Sequence, residues 1–142
     1  MSNDNIITQL SIFVNNEPGR LAGVAGILRD VNVNMKACNL AESTEFGILR
    51  TIVDDPDEAF EKIRAKGLIV KKTDIIGVAL DNVPGSLFGA ASVLGKANIN
   101  IEYGYAYTGK DLEALFIRVD DPVKAVKVLQ EAGITLVKRS EI

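Results

Sequence analysis

One short pattern constrains this chain more than anything else in it, because it occurs twice. Asn16-Glu17-Pro18-Gly19-Arg20-Leu21 and Asn82-Val83-Pro84-Gly85-Ser86-Leu87 share the form Asn-x-Pro-Gly-x-Leu, at an offset of 84 − 18 = 66 residues. Each copy follows an apolar stretch and precedes an amphipathic one, so it reads as a corner between a strand and a helix. The expectation at each corner is that Asn caps the helix, Pro presets the first helical φ and Gly permits a tight turn or a close approach. Such a corner leaves backbone N–H groups unpaired and ready for an anion.

The echo divides the chain into two units, residues 6–74 and 75–142, with no insertion between the copies. A repeat of 66 residues is near the lower limit for a self-sufficient core, so the halves are expected to pack on one another or on a second chain. Hydrophobic residues make up 47% of the sequence and charged ones 25%, which is ordinary for a globular protein.

Several classes of function are disfavoured at once. The net charge is −3, against the basic stripe of a nucleic-acid binder. The pairs Lys71-Lys72 and Lys138-Arg139 read as solvated charges at strand edges. The apolar run around Ile75 to Leu80 is too short to span a bilayer, which takes about 20 residues. The first residues, Met1 to Asn5, are polar and carry no Lys or Arg, unlike a signal peptide, so a cytoplasmic location is the expectation. There is no histidine and only one cysteine, Cys38, expected to be a buried strand residue. This removes imidazole-based nucleophile pairs, disulfide frameworks and Cys-x-x-Cys sites, and no catalytic residue, metal ligand or cofactor site is predicted.

In chain order, Ile6–Val14 reads as a strand. Leu21, Val24, Ala25, Leu28 and Val31 then fall on one helical face, and the helix ends near Asn32, which tolerates a left-handed conformation. Val33–Ala41 and Phe46–Val53 form a hairpin with a turn over Glu42–Glu45. Asp54-Asp55-Pro56 opens a second helix, with Ala59, Phe60 and Ile63 buried, and Gly67 ends it. A strand over Leu68–Asp74 follows, and Ile75–Leu80 starts the next unit. The second copy retraces the path, with Asn98, Asp120-Asp121-Pro122 and Gly133 in register. Each unit is therefore strand-helix-strand-strand-helix-strand, and the fold class is α+β, two tandem ferredoxin-like (βαββαβ) units whose antiparallel sheets carry their helices on one face. Gly23 and Gly89 lie inside helices, at about 1 kcal/mol each relative to alanine. Close helix packing is the expected compensation, with approach of a ligand as the alternative.

These residues resemble the ACT domain family, small regulatory modules that bind amino acids. The resemblance runs from about Ile6 to Ile142 as two ACT-like units with no catalytic domain attached. It rests on the corner pattern and on an Asn-hydrophobic pair opening the second strand of each copy, Asn34-Met35 and Asn100-Ile101. It implies a ligand held where the corner of one unit faces the second strand of a neighbouring unit. The ligand-binding residues so implied are Asn16, Glu17, Pro18, Gly19, Arg20, Leu21 and Asn34 in the first copy. In the second they are Asn82, Val83, Pro84, Gly85, Ser86, Leu87 and Asn100. The same asparagines could instead cap helices or end loops. Glu17 and Arg20 face Val83 and Ser86 in the other copy, so the two sites are not expected to be equivalent.

By the period-2 rule Ile101, Tyr103, Tyr105 and Tyr107 share one strand face, as an interface, a ligand wall or a packed aromatic strip. The implied function is a non-catalytic regulatory protein that binds an amino acid, forms a homodimer and acts on an enzyme of amino-acid metabolism. An assembly module of the same fold that binds no ligand is the alternative. An acylphosphatase-like enzyme is a weaker one, with only Arg20 near the corner to hold a phosphate.

Overall fold

The computed structural model describes residues 4–42, 46–109 and 111–142. The elements, in order, are β1 (Ile6–Asn15), α1 (Arg20–Asp30), β2 (Met35–Glu42), β3 (Phe46–Val53), α2 (Pro56–Ala65), β4 (Val70–Ala79), α3 (Ser86–Lys96), β5 (Ile101–Thr108), β6 (Glu113–Val119) and α4 (Pro122–Glu131), with a short 3₁₀ helix over Arg139–Glu141. The turn expected over Glu42–Glu45 falls largely outside the described residues.

The chain separates into two compact units, one formed by Thr8–Thr73 and the other by Met1–Ile7 with Asp74–Ile142. In the first, β3 lies antiparallel between β2 and β1, with Leu49 opposite both Ile12 and Leu40. Phe13 N–H donates to Ile69 O (3.0 Å), so the segment entering β4 runs along the other edge of β1. In the second unit, β6 lies antiparallel between β4 and β5. A bridge between Val78 and Leu136 takes the place of a fourth strand. Both units are ferredoxin-like and α+β. The two strands expected over Leu68–Asp74 and Ile75–Leu80 form one, β4, because no residue between them breaks extended backbone.

Each unit buries one core between its two helices and one face of its strands. In the 8–73 unit, Val24 and Leu28 of α1 and Ala59 and Ile63 of α2 meet Leu10, Ile12, Leu49 and Val53. In the other, Ala90 and Leu94 of α3 and Ala125 and Leu129 of α4 meet Ile76, Val78, Ile117 and Val119. The apolar face expected for α1 is narrower than its spacing suggests, since Leu21 and Ala25 are exposed. Ala25 sits at the edge of the stripe, and Leu21 lies in the helix's first turn, beside the exposed corner.

Helix ends follow the expectation for left-handed residues. Asn32 (φ 60°) and Asn98 (φ 59°) end α1 and α3, and Gly67 and Gly133 follow α2 and α4. After α1, Val33 N–H bonds Leu28 O at 2.9 Å and Asn32 N–H bonds Arg29 O at 3.1 Å, and Ile99 and Asn98 repeat this after α3. This double bond pattern satisfies carbonyls that a helix end leaves unpaired. Cys38 lies on β2 as expected of a strand residue, but it is exposed rather than buried, because β2 has no neighbour within its unit except β3. The four-residue alternation on β5 is also broken. A register shift after Ile101 turns that residue toward the core of α3 and α4, while Tyr103, Tyr105 and Tyr107 face Arg118, Phe116 and Ala114.

Ile63 has no exposed surface and occupies the centre of a core supplied by only 66 residues (73 − 8 + 1). Ile63→Ala should lower the unfolding free energy by about 2–5 kcal/mol, measured by urea denaturation. A loss under 1 kcal/mol would show that the site collapses around the smaller side chain.

Candidate functional site

The two corners share one backbone course. After β1, Glu17 N–H bonds Asn15 O (2.9 Å), Arg20 N–H bonds Glu17 O (3.2 Å), and Gly19 takes a left-handed conformation (φ 85°, ψ −11°) as the N-cap of α1. After β4, Val83 N–H bonds Asp81 O (2.8 Å), and Gly85 (φ 97°, ψ −9°) caps α3 in the same way. The expectation that Asn caps and Pro opens these helices is corrected. Neither helix has a side-chain cap, and both Pro18 and Pro84 precede the glycine rather than follow it. The glycine turns the chain by its positive φ, a conformation costly to any residue with a Cβ. Gly23 N–H reaches back to Gly19 O (3.0 Å), but the amides of Leu21 and Ala22 have no acceptor among the described residues. These are the orphan donors of a helix start.

A cleft opens beside each corner, within its own unit. The first, of about 350 Å³, lies between the end of β1, the start of α1 and the segment Gly67–Ile69. The second, of about 370 Å³, lies between the end of β4, the start of α3 and the segment Gly133–Thr135. Both volumes fall at the lower end of the range for small-molecule sites, about 300–1,000 Å³. Three glycines line each cleft at the repeat offset: Gly19, Gly23 and Gly67 in the first, and Gly85, Gly89 and Gly133 in the second.

Gly23 and Gly89 resolve differently from expectation. A Cβ on either would meet nothing within 4 Å, so close helix packing is not what compensates them. Their missing side chains leave the second turn of each helix bare toward the cleft. A mid-helix glycine that packs against nothing costs about 1 kcal/mol without structural return.

The lining differs between copies where the chemistry would be decided. Phe13, Asn15, Arg20 and Ile69 in the first cleft stand at the positions of Ala79, Asp81, Ser86 and Thr135 in the second. Arg20 Nε donates to Glu17 Oε2 at 3.2 Å, and both side chains are more than half exposed. Such a pair contributes at most about 1 kcal/mol and opens readily. Ser86 Oγ instead donates to Asp81 O at 2.8 Å.

Of the ligand-binding residues implied by the family resemblance, only Gly19 and Arg20, and Gly85 and Ser86, line the clefts. Asn16, Glu17, Pro18 and Leu21 sit exposed on the outer side of the first corner, and Asn82, Val83, Pro84 and Leu87 on that of the second. Asn34 and Asn100 lie elsewhere. Asn34 Nδ2 donates to Asp54 Oδ2 (3.2 Å), and Lys36 Nζ pairs with Asp54 Oδ1 (3.0 Å). Lys36 first and Asn34 second hold the Asp54 carboxyl below its ordinary range. In the other unit, Asn100 N–H donates to Asp120 Oδ1 (3.1 Å). Within a unit these asparagines are at the opposite end of the strands from the corner. The eight residues of β2 span about 26 Å, so one unit does not bring corner and strand asparagine together.

The tyrosines are divided too. Tyr105 is buried and, with Tyr107, packs its ring on Phe116 at centroid distances of 5.9 and 5.5 Å. They form a packed strip and line neither cleft. Sequence reading missed Phe13 and Ile69 and their counterparts, and took Gly67 and Gly133 only as helix ends, although the repeated spacing from Gly19 to Gly67 carries part of the signal.

No helix among the described residues is long and apolar enough to cross a membrane. The comparisons with known proteins agree with the tandem arrangement. Residues 5–142 match the family described as "ACT domain pair". Among solved structures, protein BT0572 from Bacteroides thetaiotaomicron is 37% identical, with a TM-score of 0.89 over 98% of this chain and 96% of that one. The regulatory subunit of aspartate kinase from Thermus thermophilus shares the fold at 15% identity, with a TM-score of 0.62 over 92% of this chain and 95% of that one. Aspartate kinase from Clostridium acetobutylicum matches over 88% of this chain but only 32% of its own length, at 16% identity and a TM-score of 0.53. No curated protein matches. With a family match spanning nearly the whole sequence, and two ferredoxin-like units to account for it, the chain belongs to the ACT domain family as an ACT domain pair.

Proposed function

We propose that this ACT pair is a non-catalytic, cytoplasmic regulatory protein that binds an amino acid and acts on an enzyme of amino-acid metabolism. The observation that carries the reading is the pair of corner clefts, each with bare helix backbone facing a space of amino-acid size. Orphan amides at the helix start suit an α-carboxylate, and side-chain and carbonyl oxygens along the strand end suit an α-ammonium. Neighbours of this fold that are regulatory subunits of a kinase acting on an amino acid support the assignment to regulation.

The functional units are the repeats 6–74 and 75–142. Each corner, Asn16 to Leu21 and Asn82 to Leu87, supplies one wall. The other comes from a unit of a second chain, whose Asn34 or Asn100 approaches the corner, and this makes the active form a homodimer. Exposed Val83, Leu87 and Phe88 give the alternative, an assembly module without a ligand, its own support. All three are large apolar side chains in or just after the second corner, and Phe88 is 76% exposed.

A thermal-shift screen of the full chain against the standard amino acids separates the two readings. A ligand at 100 times its dissociation constant adds about 2.7 kcal/mol and should raise the midpoint by several degrees. If no amino acid raises it, the assembly module is the better description. Light scattering at micromolar concentration should return twice the chain mass of 15.3 kDa, and a stable monomer would remove the second wall from the proposal.

A further inference from the structure

Resting on the homodimer of the reading above and not on its ligand, we infer that two chains meet through the outer face of α3, each copy of the helix packed antiparallel against the other. The repeat supplies the comparison that singles this face out. α1 and α3 start from the same corner, but only the first is charged along its exposed side. Glu17, Arg20 and Arg29 stand where the second copy has Val83, Ser86 and Gly95, and no residue from Asn82 to Gly95 carries a charge.

Burial points the same way. Ala90 and Leu94 turn into the core, and Phe88 projects away from it, two residues and about 200° from Ala90. Phe88 is the most exposed large apolar side chain among the described residues, and α1 has Ala22 at its place. Leu87 is 54% and Val83 61% exposed beside it. Ala91 and Gly95 continue the face at i+4 and i+8 from Leu87, small enough for a second helix to approach closely. The three large side chains expose roughly 400 Å², about half of the ~800 Å² that each partner contributes to a stable interface, and the rest of the outer face supplies the remainder.

The charges at the two ends select a second copy as the occupant. Lys96 closes α3, and Asp81 stands beside its start, where Ser86 Oγ donates to Asp81 O at 2.8 Å. Neither Asp81 nor Lys96 forms an ion pair among the described residues. A two-fold axis across the helix near Ala91, midway along Ser86–Lys96, sets Lys96 of each chain opposite Ser86 and Asp81 of the other. Both end contacts are then attractive, the helix dipoles oppose, and the uncharged middle repels nothing. α1 offers no such match, because its charges are spent within the chain: Arg20 pairs with Glu17 at 3.2 Å and Arg29 with Asp30 at 3.0 Å.

The test is sedentation equilibrium of the full chain and its variants, with circular dichroism to check that each is folded. Phe88→Glu should raise the dimer dissociation constant at least about a hundredfold. Ala22→Glu, the same change on α1, should leave it within about threefold, as expected for an exposed position outside the contact. Lys96→Asp and Asp81→Lys should each weaken the dimer about tenfold, and the double variant should recover most of the loss. That charge exchange also decides the matter if Phe88→Glu does not fold. A dimer as tight in Phe88→Glu as in the unaltered chain, or a double variant no tighter than the single ones, would overturn this inference and leave the homodimer joined elsewhere. An unaltered chain that stays monomeric would overturn both, while amino-acid binding would still be read separately by the thermal-shift screen.

Discussion

The left-handed residue is the constraint on which both units rest. A repeat this short has no length to spare for wide loops, so the chain must reverse within one or two residues at the end of nearly every element. It does so at Gly19, Asn32 and Gly67 in the first copy and at Gly85, Asn98 and Gly133 in the second, all at positive φ. Two of these stations use asparagine, which pays part of the steric cost that glycine avoids. With the reversals fixed, the apolar stripes of α1 and α2 can fall only on the face of β1 and β3 that carries Leu10, Ile12 and Leu49. The core and the clefts are both consequences of where the chain is allowed to turn.

The fold was legible because these stations are written in residue types. Asn and Gly recur at one offset, hydrophobic runs lie between them, and the order of the runs leaves few topologies. What the sequence hid were effects of partners. Cys38 is apolar enough to read as core, but an edge strand leaves it in solvent. Ile101 alternates with the tyrosines on paper, and a register shift turns it to the other face. The boundary between units vanished into a single strand because Asp74 and Ile75 both tolerate extended backbone.

The site was legible only in its turning residues. Gly19 and Arg20 could be chosen from the pattern itself, but Phe13 and Ile69 enter through pairing of Phe13 N–H with Ile69 O, a contact between residues 56 positions apart (69 − 13). No local motif encodes such a contact. Gly23 shows the opposite failure. Its position inside a helix is visible in the sequence, but whether packing or open space lies against it requires the fold.

The division of the chain also bears on how it is made. Residues 4–7 belong with the later unit: Arg139 N–H bonds Asp4 O (2.9 Å), Arg139 Nε bonds Ile6 O (2.6 Å) and Gln130 Nε2 bonds Asn5 Oδ1 (3.0 Å). The 8–73 unit is thus nested inside the other. During synthesis every residue of the inner unit leaves the ribosome before residues 130–139, on which closure of the outer unit depends, have emerged. Prior folding of the inner unit replaces a floppy loop of more than a hundred residues with a compact one, which lowers the entropy cost of that closure. The order of translation therefore favours assembly of the inner unit first, because the partners of the opening segment are made last.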